Sequence, residues 1–432
     1  MDSDANGRTR PRAGCPLGAP GRGRRLWLTA LLGVLVAFGP LSIDMYLPAL
    51  PLLSKDLHAG TSVTQLSLTA TLLGLALGQV VAGSQSDSRG RRGPLLVGLG
   101  GYAVSSLLCA ASGSICALVA FRFLQGLAGS AGIVISLAVA RDLYAGPELT
   151  RFLSLLVLVN GVGPVLAPVA GGQLLRVTSW RGVFVVLAAV GLVMFLAVLA
   201  GLPETLPRRS RAGLTETLAV FGGLLSDGAF MGYALPQGLV IAAMFAYISG
   251  SPFVIQEIFG ASPQTFSLVF AINGLGIIAA SQVTGLLSGR VRETVLFAGG
   301  IGLACTAAIV LLATLRAGAG LVDVLPPLFL VVSSIGIVNT AGSSLALQRY
   351  GHAAGSASAL LGLISLALGA AAAPLAGLAG KDAALPMGMV IAVADAGAAG
   401  CYAAWRWGGR CLRRDPRAPS EGKRTVTGGR GW

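Results

Sequence analysis

Apolar runs of about twenty residues, separated by short polar breaks, repeat along nearly the whole chain. At 1.5 Å of helical rise per residue, such a run matches the roughly 30 Å hydrocarbon core of a bilayer. The pattern predicts spans near 26–50, 62–84, 94–113, 116–140, 150–174, 181–202, 229–256, 263–288, 294–315, 325–347, 356–379 and 385–407. The expected fold class is an all-α polytopic membrane protein with 12 transmembrane helices in two six-helix halves.

The break at 203–228 is the natural midpoint. It opens Pro203-Glu204-Thr205-Leu206-Pro207 and continues Arg208-Arg209-Ser210-Arg211. Leu214, Leu218, Phe221, Leu224 and Leu225 then fit one face of a short helix lying at the membrane surface. The expected organisation is a disordered basic tail at 1–25, one half at 26–202, the linker at 203–228, the second half at 229–407 and a basic tail at 408–432. A faint repeat supports two related halves, a common plan in transporters. Gly83-Ser84-Gln85-Ser86-Asp87-Ser88-Arg89-Gly90-Arg91-Arg92 follows span two. Gly285-Leu286-Leu287-Ser288-Gly289-Arg290-Val291-Arg292 follows span eight, without the Asp and one Arg.

Composition narrows the class. Residues are 54% hydrophobic and 11% charged, whereas soluble chains average about 25% charged. The net charge of +14 would suit nucleic acid, but its placement is a topology signal instead. Of the 31 Lys and Arg residues, only Lys55, Arg176, Arg181, Arg316 and Lys381 fall in one set of alternate loops. Arg122 lies inside a span, and the others stand at the termini and in the opposite loops. By the positive-inside rule both ends are cytoplasmic. Trp27, Trp180, Trp405 and Trp407 fall at span ends, where interfacial anchors belong.

The six cysteines form no CxxC pair, and the two histidines, His58 and His352, are far apart in sequence. No metal site, cofactor or disulfide framework is expected. No GxxxxGK[ST] run is present, so direct ATP coupling has no sequence support. No nucleophile and base share the membrane, and the chain does not read as an enzyme.

Three charged residues inside spans are the candidate chemistry, because each costs roughly 2.5–3.5 kcal/mol on insertion scales. Asp44 sits in Pro40-Leu41-Ser42-Ile43-Asp44-Met45-Tyr46-Leu47-Pro48-Ala49-Leu50-Pro51, where three prolines predict kinked backbone. Irregular backbone at that depth must face protein or a wet cavity. Arg122 lies in span four, six residues from Cys116, as Asp44 lies seven from Pro51. At about 1.5 Å per residue both are roughly 9–11 Å below the same membrane surface, and opposite charges at equal depth are suited to meet. Asp395 lies near the middle of span twelve, as a possible second acid, a neutral packing residue or a sign of a misplaced span.

Several motifs resemble the major facilitator superfamily, and within it the bicyclomycin-resistance type of drug:proton antiporter. The first is Gly83 to Arg92. The second is Leu118-Val119-Ala120-Phe121-Arg122-Phe123-Leu124-Gln125-Gly126-Leu127-Ala128-Gly129. The third is Asn160-Gly161-Val162-Gly163-Pro164-Val165-Leu166-Ala167-Pro168-Val169-Ala170-Gly171-Gly172, with Ala167 where the family usually has Gly. Arg141-Asp142-Leu143-Tyr144 resembles the family's end of span four.

The resemblance implies proton-coupled efflux of small apolar or amphipathic compounds by alternating access. Export of an endogenous metabolite, sugar or amino acid on the same fold is the alternative. Asp44 becomes the expected protonation site and Arg122 the cation that holds it. Gly83, Asp87, Gly90, Arg91, Arg92 and Asp142 become gating residues, with Asp142 pairing Arg91 or Arg92 or else merely solvated. Gly163, Pro164, Pro168, Gly171 and Gly172 form the antiporter kink.

Met45, Tyr46, Gln125, Gln237 and Asn339 are candidate cavity residues, as are Phe121, Phe123, Met244, Phe245, Tyr247 and Thr340; helix packing is the competing role for them. The expected partners are a small-molecule substrate, protons and the lipid bilayer, with no nucleic acid. The implied state is a monomer in a bacterial inner membrane.

Overall fold

The computed structural model describes residues 22–144, 146–206, 214–348, 350, 354–377 and 384–414. Arg208, Arg209, Arg211, Arg349, Lys381, the first 21 residues and the chain beyond Arg414 lie outside them, as do the side chains of Asn160, Leu214 and Leu218.

The first span is broken, as its prolines demand. Helix α1 (Arg22–Val36) is followed by α2 (Phe38–Asp44), a short 3-10 turn at Leu47–Ala49 and α3 (Leu50–Asp56). Trp27–Val36 and Phe38–Asp56 meet at Ala37 with a bend of 41°. Pro48 and Pro51 lack the N–H that would continue an α-helical ladder, and Ala49 N–H instead closes a tight turn onto the Tyr46 carbonyl at 2.9 Å. The first half continues with α4 (Thr61–Arg89), α5 (Arg92–Ala111), α6 (Ile115–Leu143), α7 (Gly146–Leu174) and α8 (Trp180–Gly201).

Helix α9 (Leu214–Ser226) forms the linker. It buries Phe221 and Leu224 against Phe230, Leu360 and Leu361, while Leu225 stays exposed. The second half comprises α10 (Gly228–Phe253), α11 (Pro263–Leu287), α12 (Glu293–Arg316), α13 (Leu321–Leu347), α14 (Ala354–Ala372) and α15 (Ala384–Arg414).

Among the described residues, ten helices are long and apolar enough to cross a bilayer, or eleven with the bent first span. Helix α7, 29 residues long, stands between the fourth and fifth of these eleven. The order follows the twelve expected spans. The ends differ: α1 starts inside the segment expected as tail, and α15 runs past residue 407. Arg24, Arg25 and Arg406 are good helix formers, so hydropathy falls before the helix does.

Small residues set the helix spacing. A Cβ at Gly126 of α6 would strike the Thr71 carbonyl of α4, and one at Gly74 would strike the Phe123 carbonyl. The two backbones are in direct contact there, as in other small-residue membrane interfaces.

At one end of the bundle the halves are tied together. Gln65 donates to the Ser249 carbonyl at 2.9 Å, Ser62 to Pro374 at 3.2 Å and Thr69 to Ala370 at 3.1 Å. Gln264 donates to Gly172 at 2.8 Å, and Lys55 pairs with Glu257 at 3.2 Å. At the other end, a 560 Å³ cavity opens between Asp87, Arg141 and Asp142 of one half and Ser358, Ala359 and Gly362 of the other.

Candidate functional site

Asp44 is the last residue of α2, where the α-helix gives way to the turn that leads into Leu47–Ala49. It is buried, at 4% exposure. It lines a 360 Å³ cavity between the halves, together with Gln79, Met244, Phe245, Tyr247, Phe270 and Asn273. Asn273 donates to the Tyr247 hydroxyl at 3.0 Å. No basic side chain lines this cavity among the described residues. Gln79 also lines the 560 Å³ cavity, so it stands between Asp44 and the open end.

The kink of α7 is packed on the Asp44 stretch. Pro164 lines the same cavity. A Cβ on Gly163 would come within 2.9 Å of the Pro40 ring, and one on Gly171 would strike the Met45 carbonyl. Gly172 faces Ser267 of α11 in the other half, and Pro168 is buried. The glycines let α7 lie directly against the broken helix, so two motifs far apart in sequence build one wall.

Arg122 does not meet Asp44. Its guanidinium lies over the Tyr46 ring, 4.1 Å from the centroid, and 5.6 Å from that of Phe184. Nη1 donates to Gln125 Oε1 at 2.5 Å, and Gln125 Nε2 donates to Ser106 at 2.7 Å. Tyr46 is turned toward Arg122, while Asp44, two residues earlier, lines the cavity instead. The expected direct pairing of Arg122 with Asp44 is therefore not made; Arg122 reaches this stretch through Tyr46.

The expected cavity residues are placed differently. Met45, Tyr46 and Gln125 are buried inside the first half and do not line the Asp44 cavity. Gln237 donates to Asn339 at 2.7 Å and to Ser343 at 3.1 Å, joining α10 to α13 outside this cavity. Thr340 is hydrogen-bonded to Ser281 at 2.7 Å. Phe121 and Phe123 are likewise absent from the wall, whereas Met244, Phe245 and Tyr247 form it. Gln79 and Asn273 are the polar wall residues that sequence reasoning missed; the available signal was an amide in mid-span.

Asp395 stands apart. It is fully buried on α15, and neither carboxylate oxygen has a hydrogen-bond partner among the described residues. Cys305 of α12 donates its thiol to the Asp395 backbone carbonyl at 3.0 Å.

At the open end the gating residues converge. The Arg91 guanidinium reaches Asp142 at 2.9 Å, Ser86 at 3.0 Å and Asp87. Thr205 donates to Asp142 at 3.2 Å. The Arg92 guanidinium donates to the Leu199 carbonyl at 2.7 Å rather than to an acid. Gly90 has φ +107°, a conformation L side chains rarely adopt. Gly83 touches only Val134, with room for a Cβ at 3.5 Å.

The missed member is Glu204. It accepts from the backbone N–H groups of Arg91 at 2.8 Å, Arg92 at 3.2 Å, and Thr205 and Leu206 at 3.1 Å. Burial works to raise its pKa, but these donors outweigh it and hold the carboxyl below the usual range. Burial likewise opposes charge on Arg91, and the Asp142 and Asp87 carboxylates more than compensate, leaving its pKa raised.

The model of the Major Facilitator Superfamily matches residues 30–374. An uncharacterized MFS-type transporter of Bacillus subtilis (strain 168), YdgK, is 44% identical over 373 residues, covering 85% of this chain and 92% of the relative. A bicyclomycin resistance protein homolog of Haemophilus influenzae is 28% identical over 358 residues, covering 82% and 90%. Among solved structures, a bacterial homolog of the human lysosomal transporter Spinster, inward-facing and unoccupied, superposes with TM-score 0.73. It shares 16% identity and covers 93% of this chain and 100% of its own.

Proposed function

The chain belongs to the major facilitator superfamily, and on that footing we propose that it is a proton-coupled exporter of small apolar or amphipathic compounds. The observation that carries this reading is Asp44, a lone carboxylate on an apolar and aromatic cavity wall between the two halves. An ionised carboxylate in such a place costs several kcal/mol unless something neutralises it. A proton does so, and so does a passing cationic or hydrogen-bonding cargo. Binding of one therefore opposes binding of the other, which is the requirement for exchange.

In this reading the 560 Å³ opening faces the cytoplasm, where both termini lie by the positive-inside rule. Cargo enters past Gln79 while Asp44 gives up its proton to that side. Rocking of the halves then breaks the contacts around Gln65, Ser62 and Lys55 and closes the Arg91 end. A proton from outside binds Asp44, and cargo leaves. Arg122 acts one step removed: by stacking on Tyr46 it fixes the break that aims Asp44 into the cavity. The name of the Haemophilus relative supports a drug as cargo. The alternative is an endogenous metabolite, sugar or amino acid on the same cycle.

The test is transport by purified protein in proteoliposomes under an imposed pH gradient, with bicyclomycin, lipophilic cations, sugars and amino acids as cargo. Wild type should export an apolar or amphipathic compound faster with the gradient, and Asp44→Asn should lose that acceleration while remaining folded. Gradient-driven export by Asp44→Asn would overturn the coupling role. Transport confined to sugars or amino acids would select the alternative.

A further inference from the structure

We infer that the outer wall of the first half carries a binding site for an anionic phospholipid. The site is a 570 Å³ groove between α4 and α5, floored by α6 and separate from the Asp44 cavity. Three helical stripes build it. Gly78, Val81, Gln85 and Arg89 recur at three- and four-residue spacing on α4, and residues from Gly93 to Leu108 line it on α5. Gly78 on α4, Gly93, Gly98 and Gly101 on α5, and Ala128 and Ala131 on α6 carry little or no side chain there, so the groove is in part a recess in the backbone surface.

Length and charge identify the occupant. From Gly93 to Leu108 the groove runs about 22 Å along α5, more than the roughly 15 Å half-thickness of a bilayer core. Its sides are aliphatic and exposed, with Val97 at 78% and Val104 at 58%. That is the surface of an acyl-chain channel. Its polar end is cationic.

Arg91 is engaged by Asp142 and Asp87, and Arg92 by the Leu199 carbonyl. Arg89 is exposed, and no acidic partner for it is found among the described residues. The third arginine of the turn is therefore left at the headgroup end of an apolar groove. A phosphodiester with no compensating amine, on a chain long enough to fill the groove, satisfies both halves of the site.

The experiment is native mass spectrometry of the full chain released from mixed micelles of dioleoyl phosphatidylglycerol and dioleoyl phosphatidylcholine, which share acyl chains and differ in net charge. Wild type should retain phosphatidylglycerol about fivefold over phosphatidylcholine, as expected for one interfacial arginine. Arg89→Gln should bring the ratio near one, and Arg89→Lys should keep most of it. Arg316→Gln, at the other end of the bundle, should leave it unchanged. Val104→Trp should lower retention of both lipids by filling the groove.

Equal retention of the two lipids by wild type would overturn the inference. So would an unchanged preference in Arg89→Gln, or a protein dimer abolished by Val104→Trp without lipid retention.

Discussion

The Glu204 carboxylate accepts the backbone N–H of Arg91 at 2.8 Å, while the guanidinium of that same residue reaches Asp142 at 2.9 Å. One residue thus joins the chain after α8 to the end of α6 through its two ends. Neither contact is a simple surface ion pair, since Arg91 is only 7% exposed.

Glu204 should leave a pH signature in stability. Its ordinary pKa is near 4.5 and the folded value is lower. Its contribution is therefore complete above pH 4.5 and is lost as the pH falls through the folded pKa. Thermal unfolding in detergent should show Glu204→Gln less stable than wild type at pH 6–8, with the gap closing below about pH 4.5. A gap that persists at lower pH would mean that the carboxylate charge is not what holds the turn.

Arg122 offers a separation of packing from function. It is fully buried, and its Nε and Nη2 have no hydrogen-bond partner among the described residues. Removing the side chain should cost about 2–5 kcal/mol in Arg122→Ala through the void it leaves. Arg122→Met fills most of that space and removes an uncompensated charge, so its stability should match or exceed wild type. If the stack on Tyr46 aims Asp44, Arg122→Met should still lose gradient-driven transport by about tenfold or more. Wild-type flux in a stable Arg122→Met would reduce Arg122 to packing.

How much of this was legible in the chain depended on whether a signal was local. An acid between prolines in an apolar run announces both a break and a site, and Asp44 has both. Arg91 and Asp142 carry opposite charges at the ends of predicted spans, so their pairing could be foreseen. Glu204 could not, because its partners are backbone N–H groups, which no residue type marks. Gln79 and Asn273 are single amides in spans, indistinguishable in sequence from packing amides such as Gln237. The face that Asp44 presents turns on the geometry of two residues at a helix break, below the resolution of any spacing argument.

Glycines from two of the family motifs should differ sharply under substitution. A Cβ at Gly126 meets the Thr71 carbonyl and comes within 3.1 Å of the Leu75 nitrogen, and backbone cannot rotate aside as a side chain can. Gly126→Ala should lose stability at or beyond the upper end of about 1–3 kcal/mol. Gly83→Ala has room beside Val134 and should change stability by less than about 0.5 kcal/mol. Fluorescence-detected gel filtration after a heating series reads both. Loss of transport in a stable Gly83→Ala would indicate that Gly83 needs its small size in a state other than this one.

Asp395 is the last acid to be placed. It lines neither the cavity of Asp44 nor the opening beyond it, and both its oxygens are buried without partners among the described residues. A polar group in that state is a net cost of about 1–3 kcal/mol to the fold. Asp395→Leu replaces it with an apolar side chain of similar size beside Cys305 and should raise thermal stability accordingly. Gradient-driven export should stay near the wild-type rate, because no described cavity connects Asp395 to Asp44. Collapse of proton-driven flux in a well-folded Asp395→Leu would refute this placement and put a second acid on the proton path.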